Sequence, residues 1–209
     1  KGHFHTHFYR LFKADELNEM SVETIQKTLE DAMVFNDFEW NLKHQHHYRL
    51  KGRSNGIEHY LYYCPSCKET QTLYGKHEHI YCQNCGVIAT FDKTSILNGP
   101  YPSLIEWGKD QKNIIPKRIL SPMVTNGMLY EVDNIKQKKY QLGFHNVIIE
   151  NKVLMIETKP KRQFDINRIK GEVITRKHNF SFDYEEKTYN FLLKDPMLIL
   201  NTITYLKEN

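Results

Sequence analysis

The stretch "YYCPSCKETQTLYGKHEHIYCQNCGV", residues 62–87, holds all four cysteines of the 209-residue chain in two Cys-x-x-Cys pairs, 14 residues apart. Each pair makes a tight knuckle presenting two thiolates, and two knuckles complete a tetrahedron, the pattern of a structural zinc site. Cys64, Cys67, Cys82 and Cys85 are therefore the expected ligands of one zinc ion per chain. Gly86 permits the positive φ that such a knuckle needs, and Pro65 stiffens the first one. A catalytic zinc keeps a position open for water, whereas four thiolates fill the coordination sphere. Replacement of one cysteine by His77 or His79 from the intervening loop is the alternative that would reopen it. Disulfide pairing and thiol redox chemistry compete for the same sulfurs. A module of some 40 residues is too small to fold on a hydrophobic core alone, and a structural zinc supplies on the order of 10 kcal/mol. The expected ribbon strands are "EHYLYYC", "TQTLYG", "HEHIYC" and "GVIATFD".

Around this stretch, composition sets the class. With 40% hydrophobic, 12% aromatic and 26% charged residues, the chain can bury a real core. Twenty-nine Lys and Arg against 25 Asp and Glu leave a net charge of +4 with the signs interspersed, less than the dense basic stripe of a dedicated nucleic-acid binder. No apolar run approaches the 18 or so residues that a membrane span requires. The chain opens at Lys1 without a signal-peptide pattern, so a cut within a longer polypeptide in a reducing compartment is expected, which favours zinc over disulfides.

On the N-terminal side, "HFHTHFYRLF" (3–12) alternates like a half-buried strand, with His3, His5 and His7 on one face. A metal there is the lesser alternative, because i, i+2 side chains stand nearly 7 Å apart. Next, "SVETIQKTLEDAMVFNDFEW" places Val22, Ile25, Leu29, Ala32, Met33 and Phe35 at helical spacing behind Ser21 and Thr24 as N-cap candidates. Residues 43–57 are polar and carry His44, His46 and His47, which suits a linker.

On the C-terminal side, "SLIEWGKDQKNII" predicts a short helix with Leu104, Ile105 and Trp107 inward, ending before Pro116. From about Ile119 the period becomes two, giving seven or eight short strands. One helix then follows, with Asp195 as N-cap, Pro196 at N1 and a buried stripe of Met197, Leu200, Ile203 and Leu206. That pattern is expected of a PH-like β-barrel closed by one helix. The spacing His178-x-x-x-x-Asp183 matches a glycerolipid acyltransferase dyad, but i and i+5 on a strand face opposite sides, so it reads as coincidence.

The order of the segments "GHFHTHFYRLF", "ELNEMSVETIQKTLEDAMVFNDFEW", "GIEHYLYYCPSC", "YCQNCG" and "SLIEW" resembles the C-terminal part of bacterial 1-acyl-sn-glycerol-3-phosphate acyltransferases with an appended zinc ribbon. The resemblance covers roughly residues 1–115. It implies an α+β, multi-module chain. Residues 1–42 would be the last strand and helix of an α/β acyltransferase domain, 43–57 a linker, 58–97 the ribbon, 98–118 a connecting helix and 119–209 the PH-like barrel. It further implies a cytoplasmic location at the inner face of the membrane and an accessory role beside the acyltransferase domain. No catalytic residue carries over, since the family's His/Asp motif has no counterpart here. Contact with anionic phospholipid is expected from the clusters Lys136, Lys138, Lys139 and Lys159, Lys161, Arg162, with an acyl-donor protein as the other partner class. Two rival readings remain open. One is a nucleic-acid-binding ribbon stacking bases on Tyr60, Tyr62, Tyr63, Tyr74 and Tyr81 beside Lys68 and Lys76. The other is a free-standing PH-like adaptor for lipid or protein.

Overall fold

The computed structural model describes residues 8–209, and the chain divides into two compact units at His44/Gln45. His3, His5 and His7 lie outside the described residues, and 8–12 form no strand.

Among its described residues the first unit contains three helices, α1 (Ala14–Glu19), α2 (Val22–Met33) and α3 (Asp37–His44). Ser21 caps α2 as the sequence suggests, its Oγ accepting from the Thr24 N–H at 3.2 Å. The apolar stripe is present, yet no residue of α2 is buried within this unit. Asn36 caps α3 through its side-chain oxygen, which accepts from the Phe38 and Glu39 N–H groups.

The second unit opens with the cysteine-bearing ribbon, a four-stranded antiparallel sheet in the order β1 (Leu73–Lys76), β2 (His79–Cys82), β3 (Gly86–Phe91), β4 (Leu97–Asn98). The expected strand "EHYLYYC" is instead a 3-10 turn at Ile57–His59 and an irregular segment, which meets the chain leading into β1 at an isolated β-bridge, Tyr63 to Thr70. Leu61, Tyr62, Tyr63 and Cys64 are all buried in succession, so no alternation between a wet and a dry face is available to them. Nor is the end of 43–57 a loose linker. Ser54 is fully buried and its Oγ lies 3.0 and 2.8 Å from the carbonyls of His77 and His79, while Arg53 pairs with Glu78 at 2.8 Å.

Ser103 then caps α4 (Leu104–Asp110), which runs through a 3-10 turn into α5 (Ile115–Arg118). Pro116 therefore sits in the first turn of α5, where a missing N–H is harmless, instead of ending the preceding helix.

The remainder is one curled antiparallel sheet of seven strands: β5 (Met123–Asp133), β6 (Lys138–Glu150), β7 (Val153–Ile156), β8 (Arg162–Asp165), β9 (Lys170–Thr175), β10 (Asn179–Tyr184) and β11 (Lys187–Leu193). Their order, β8-β7-β6-β5-β11-β10-β9, puts the first strand in the middle and leaves β8 and β9 as unpaired edges, so the sheet is a half-barrel and not a closed barrel. "KKYQLGF" and "NVIIE" merge into the single strand β6, which bends at a bulge opposite Leu129 and Tyr130. Helix α6 (Pro196–Glu208) packs into the curl through Leu198, Ile199, Thr202, Ile203 and Leu206, with Met197 and Leu200 only half-buried at its flanks. Asp195 makes no side-chain cap, because its carboxylate accepts from Gln71 Nε2 at 2.9 Å instead.

Candidate metal centre

The two knuckles flank the β1–β2 hairpin. The Cys64–Cys67 turn closes by bonds from the Cys64 N–H to the Glu69 carbonyl and from the Lys68 N–H to the Cys64 carbonyl, with Lys68 at φ +65°. The second knuckle follows β2, and Gly86 has φ +81° there, as a residue without a Cβ allows. The four Sγ atoms lie within 4.8 Å of one another. None is in a disulfide, and Cys67 and Cys82 Sγ are 3.7 Å apart. A tetrahedron with metal–sulfur bonds of about 2.3 Å has edges of about 3.8 Å, so the spacing fits thiolates around one ion.

The sulfurs have the partners that thiolates take. The Asn84 N–H donates to Cys82 Sγ at 3.4 Å, Asn84 Nδ2 lies 3.9 Å from Cys67 Sγ, and Thr72 Oγ1 sits 3.3 Å from Cys82 Sγ. Burial pushes the Cys82 thiol up, but the Thr72 hydroxyl, the N–H groups of Asn84 and Cys85 and the Cys64 side chain outweigh it, and its pKa falls to about 6. Cys64 is pushed up, first by burial and then by the crowding sulfurs of Cys82 and Cys67. Four thiolates at this spacing repel one another unless a cation lies between them. The donor set therefore fits a metal ion. His77 and His79 are not part of it: the His77 N–H bonds Asn55 Oδ1, and His79 Nδ1 lies 3.0 Å from Thr90 Oγ1.

Cys64 and Cys82 pack in a ribbon core with Ile57, Leu61, Leu73, Ile80, Ala89, Phe91, Leu97 and Trp107, while the neighbouring Tyr62 and Tyr63 belong to the core of the half-barrel. The two cores meet at Gln111. Its Oε1 accepts from the Tyr62 N–H at 3.1 Å and its Nε2 donates to the Tyr60 carbonyl at 3.0 Å. The Tyr62 hydroxyl donates to the Gln111 carbonyl and receives from Asn201 Nδ2 on α6, and burial pushes that phenol up to about 12. Trp107 Nε1 donates to the Tyr63 carbonyl at 2.9 Å. Gly108 packs so tightly that an added Cβ would lie 2.4 Å from the Tyr60 hydroxyl. Sequence reasoning missed Gln111 because a lone polar residue beside a helix carries no pattern.

Of the five tyrosines considered for base stacking, Tyr62 and Tyr63 are buried and Tyr60 is half-buried, while Tyr74 and Tyr81 stack on each other with centroids 5.3 Å apart. His178 and Asp183 form no dyad. The His178 ring lies 5.5 Å from that of His59, and Asp183 accepts from Thr188 Oγ1 at 2.5 Å.

The basic clusters separate into different roles. Register places the β5–β6 and β10–β11 turns at one end of the half-barrel, since Asp133 pairs with both Lys138 and Lys187. There Lys136 pairs with Asp133 and Lys139 Nζ sits 4.0 Å from the centroid of Tyr130, whereas Lys138, Lys159 and Lys161 are exposed. Arg162 turns inward and, with Lys187, binds the buried carboxylate of Glu131. Among the described residues no helix is long and apolar enough to cross a membrane. Compared with family models, with curated proteins and with solved structures, the chain matches none.

Proposed function

We propose that the chain is a zinc-stapled accessory region of a lysophosphatidate O-acyltransferase of phospholipid biosynthesis, holding that enzyme against the cytoplasmic face of the membrane. The observation that carries the staple is the convergence of four cysteine sulfurs within 4.8 Å, a group that among the described residues includes no histidine or carboxylate. Cys64, Cys67, Cys82 and Cys85 would hold the ion, whose contribution is a cross-link between the two knuckles. The acyltransferase assignment rests on the order of segments along residues 1–115, and the PH-like reading is supported by a seven-stranded curled sheet with one helix in its hollow. The docking role is supported by Lys136, Lys138, Lys139, Lys159 and Lys161, together with Ile135, 73% exposed at the tip of the β5–β6 hairpin.

Acyl transfer to lysophosphatidate by the whole polypeptide that carries this chain tests the first part, and absence of that activity refutes it. Sedimentation with phosphatidylcholine vesicles, with and without an anionic lipid, tests the second. Binding should require the anionic lipid and weaken in a Lys138→Glu, Lys139→Glu variant.

A further inference from the structure

A cavity of about 470 Å³ lies beside the first knuckle, lined by Tyr63, Lys68, Glu69, Thr70, Ile114, Lys117 and Arg118. It combines three cations drawn from two distant parts of the chain. Lys68 leaves the knuckle from a left-handed backbone position, so its direction is set by the turn that presents the cysteines, and its Nζ lies 5.8 Å from the Tyr63 ring centroid. Lys117 and Arg118 close α5, and Arg118 Nη1 is steadied by Ser121 Oγ at 3.1 Å. None of the three pairs with a carboxylate within 4.0 Å among the described residues, whereas Arg53, Lys109, Lys136, Arg162, Arg168, Lys187 and Lys207 all do. The single acid at the rim, Glu69, leaves a local excess of two positive charges. Tyr63 and Ile114 give the cavity an apolar side, and Thr70 adds a hydroxyl.

Unpaired like charges around one hollow repel each other, a cost that a bound dianion turns into attraction. A volume of this size spans about 10 Å, and a phosphate group with charge-assisted bonds of about 2.8 Å on each side fills most of that width. Lysine ammonium groups and an arginine fork suit its oxygens, and the apolar wall suits the short carbon skeleton attached to it.

We infer that this cavity is a phosphomonoester site, recognising the terminal phosphate of a small phosphorylated alcohol or of a phosphatidate-type lipid headgroup. It does not depend on the membrane reading, since its residues lie apart from the β5–β6 hairpin and the β7–β8 loop. The test is an amide chemical-shift titration of the metal-loaded chain with glycerol 3-phosphate, run beside sedimentation with phosphatidylcholine vesicles with and without phosphatidate. The expected result is saturable shifts at Lys68, Thr70 and Arg118, with affinity at least about tenfold lower in both Arg118→Glu and Lys117→Glu, a factor equal to about 1.4 kcal/mol. Lys138→Glu, Lys139→Glu should leave these shifts unchanged, which separates this site from the hairpin. Saturation in the soluble arm assigns a metabolite, and phosphatidate-dependent binding that falls in the α5 variants but lacks a soluble counterpart assigns a headgroup. Absence of binding in both arms overturns the site. So does binding that persists in both α5 variants while their metal content and cooperative unfolding match the parent.

Discussion

Replacing Gln111 by Ala should cost about 2–5 kcal/mol, because one side chain serves two backbone groups at once. The residue is 1% exposed, and it satisfies the Tyr62 N–H and the Tyr60 carbonyl through opposite ends of one amide. A buried polar group left without its partner costs about 1–3 kcal/mol, so the buried Tyr62 N–H, a smaller share for the part-buried Tyr60 carbonyl and a small cavity together give that range. The Tyr62 hydroxyl keeps its acceptor, since it bonds the Gln111 main chain, so the loss is confined to the amide. Gln111→Met, which keeps the length and removes both bonds, should cost about as much as Ala, whereas a packing role alone would make Met nearly silent. The assay is urea unfolding followed by tyrosine and tryptophan fluorescence. With an m-value of about 2 kcal/mol per molar urea, the midpoint should fall by about 1–2.5 M. Because Gln111 joins the ribbon core to the half-barrel core, the single transition should also broaden or split. A midpoint within 0.3 M of the parent for both variants would refute the account.

Three further outcomes are expected. Chelation of the metal, or Cys64→Ser with Cys67→Ser, should release the amides of β1 to β3 to hydrogen exchange while β5, β6 and β11 stay protected, since the half-barrel has its own core. Uniform protection after verified metal loss would contradict the staple. The Glu131 carboxyl is desolvated, yet its bonds to Lys187 and Arg162 hold its pKa below the usual 4.5, so its contribution is complete above that value and lost as pH falls through the folded one. The stability gap between the parent and Glu131→Gln should therefore be largest at neutral pH and shrink below about pH 4.5. Asp195 behaves oppositely, because burial raises its pKa above 3.8 and charging it costs stability as pH rises. Asp195→Asn keeps an acceptor for Gln71 and should be neutral or slightly stabilising at pH 7. Destabilisation by more than about 1 kcal/mol there would mean that the charge serves the start of α6 instead.

What the sequence reveals about this molecule follows from how local each feature is. The knuckles are local: two residues between cysteines and a left-handed position after them, Lys68 in the first and Gly86 in the second, dictate the turn wherever the segment sits. The strands of the half-barrel are nearly as local, since period-two alternation marks each of them. Residues 61–64 escape that logic because two different cores claim consecutive side chains, Leu61 and Cys64 going to the ribbon and Tyr62 and Tyr63 to the half-barrel. The basic cavity escapes it too. Lys68 and Arg118 stand 50 positions apart, so no charge run announces them, while the visible run at 159–162 contributes an arginine that turns inward to Glu131. The α6 stripe is read only in part. Ile203 and Leu206 are buried as expected, but Leu198, Ile199 and Thr202 go inward in place of the expected Met197 and Leu200, because the helix lies in a hollow that covers more of its circumference than a flat surface would.

The order of strands across the half-barrel has a consequence in time. Central strand β5 must wait for β11, since Asp133 pairs with Lys187 and Gly127 with Leu193, contacts that close loops of more than 50 residues. Such distant closures are entropically slow, whereas β1 to β4 pair only with sequence neighbours and can form around their ion early. On a ribosome the cysteine ribbon is thus a finished object before the last strand of the sheet has been made. Tyr62 and Tyr63 spend that interval as exposed aromatic surface, awaiting a core that has not yet been synthesised.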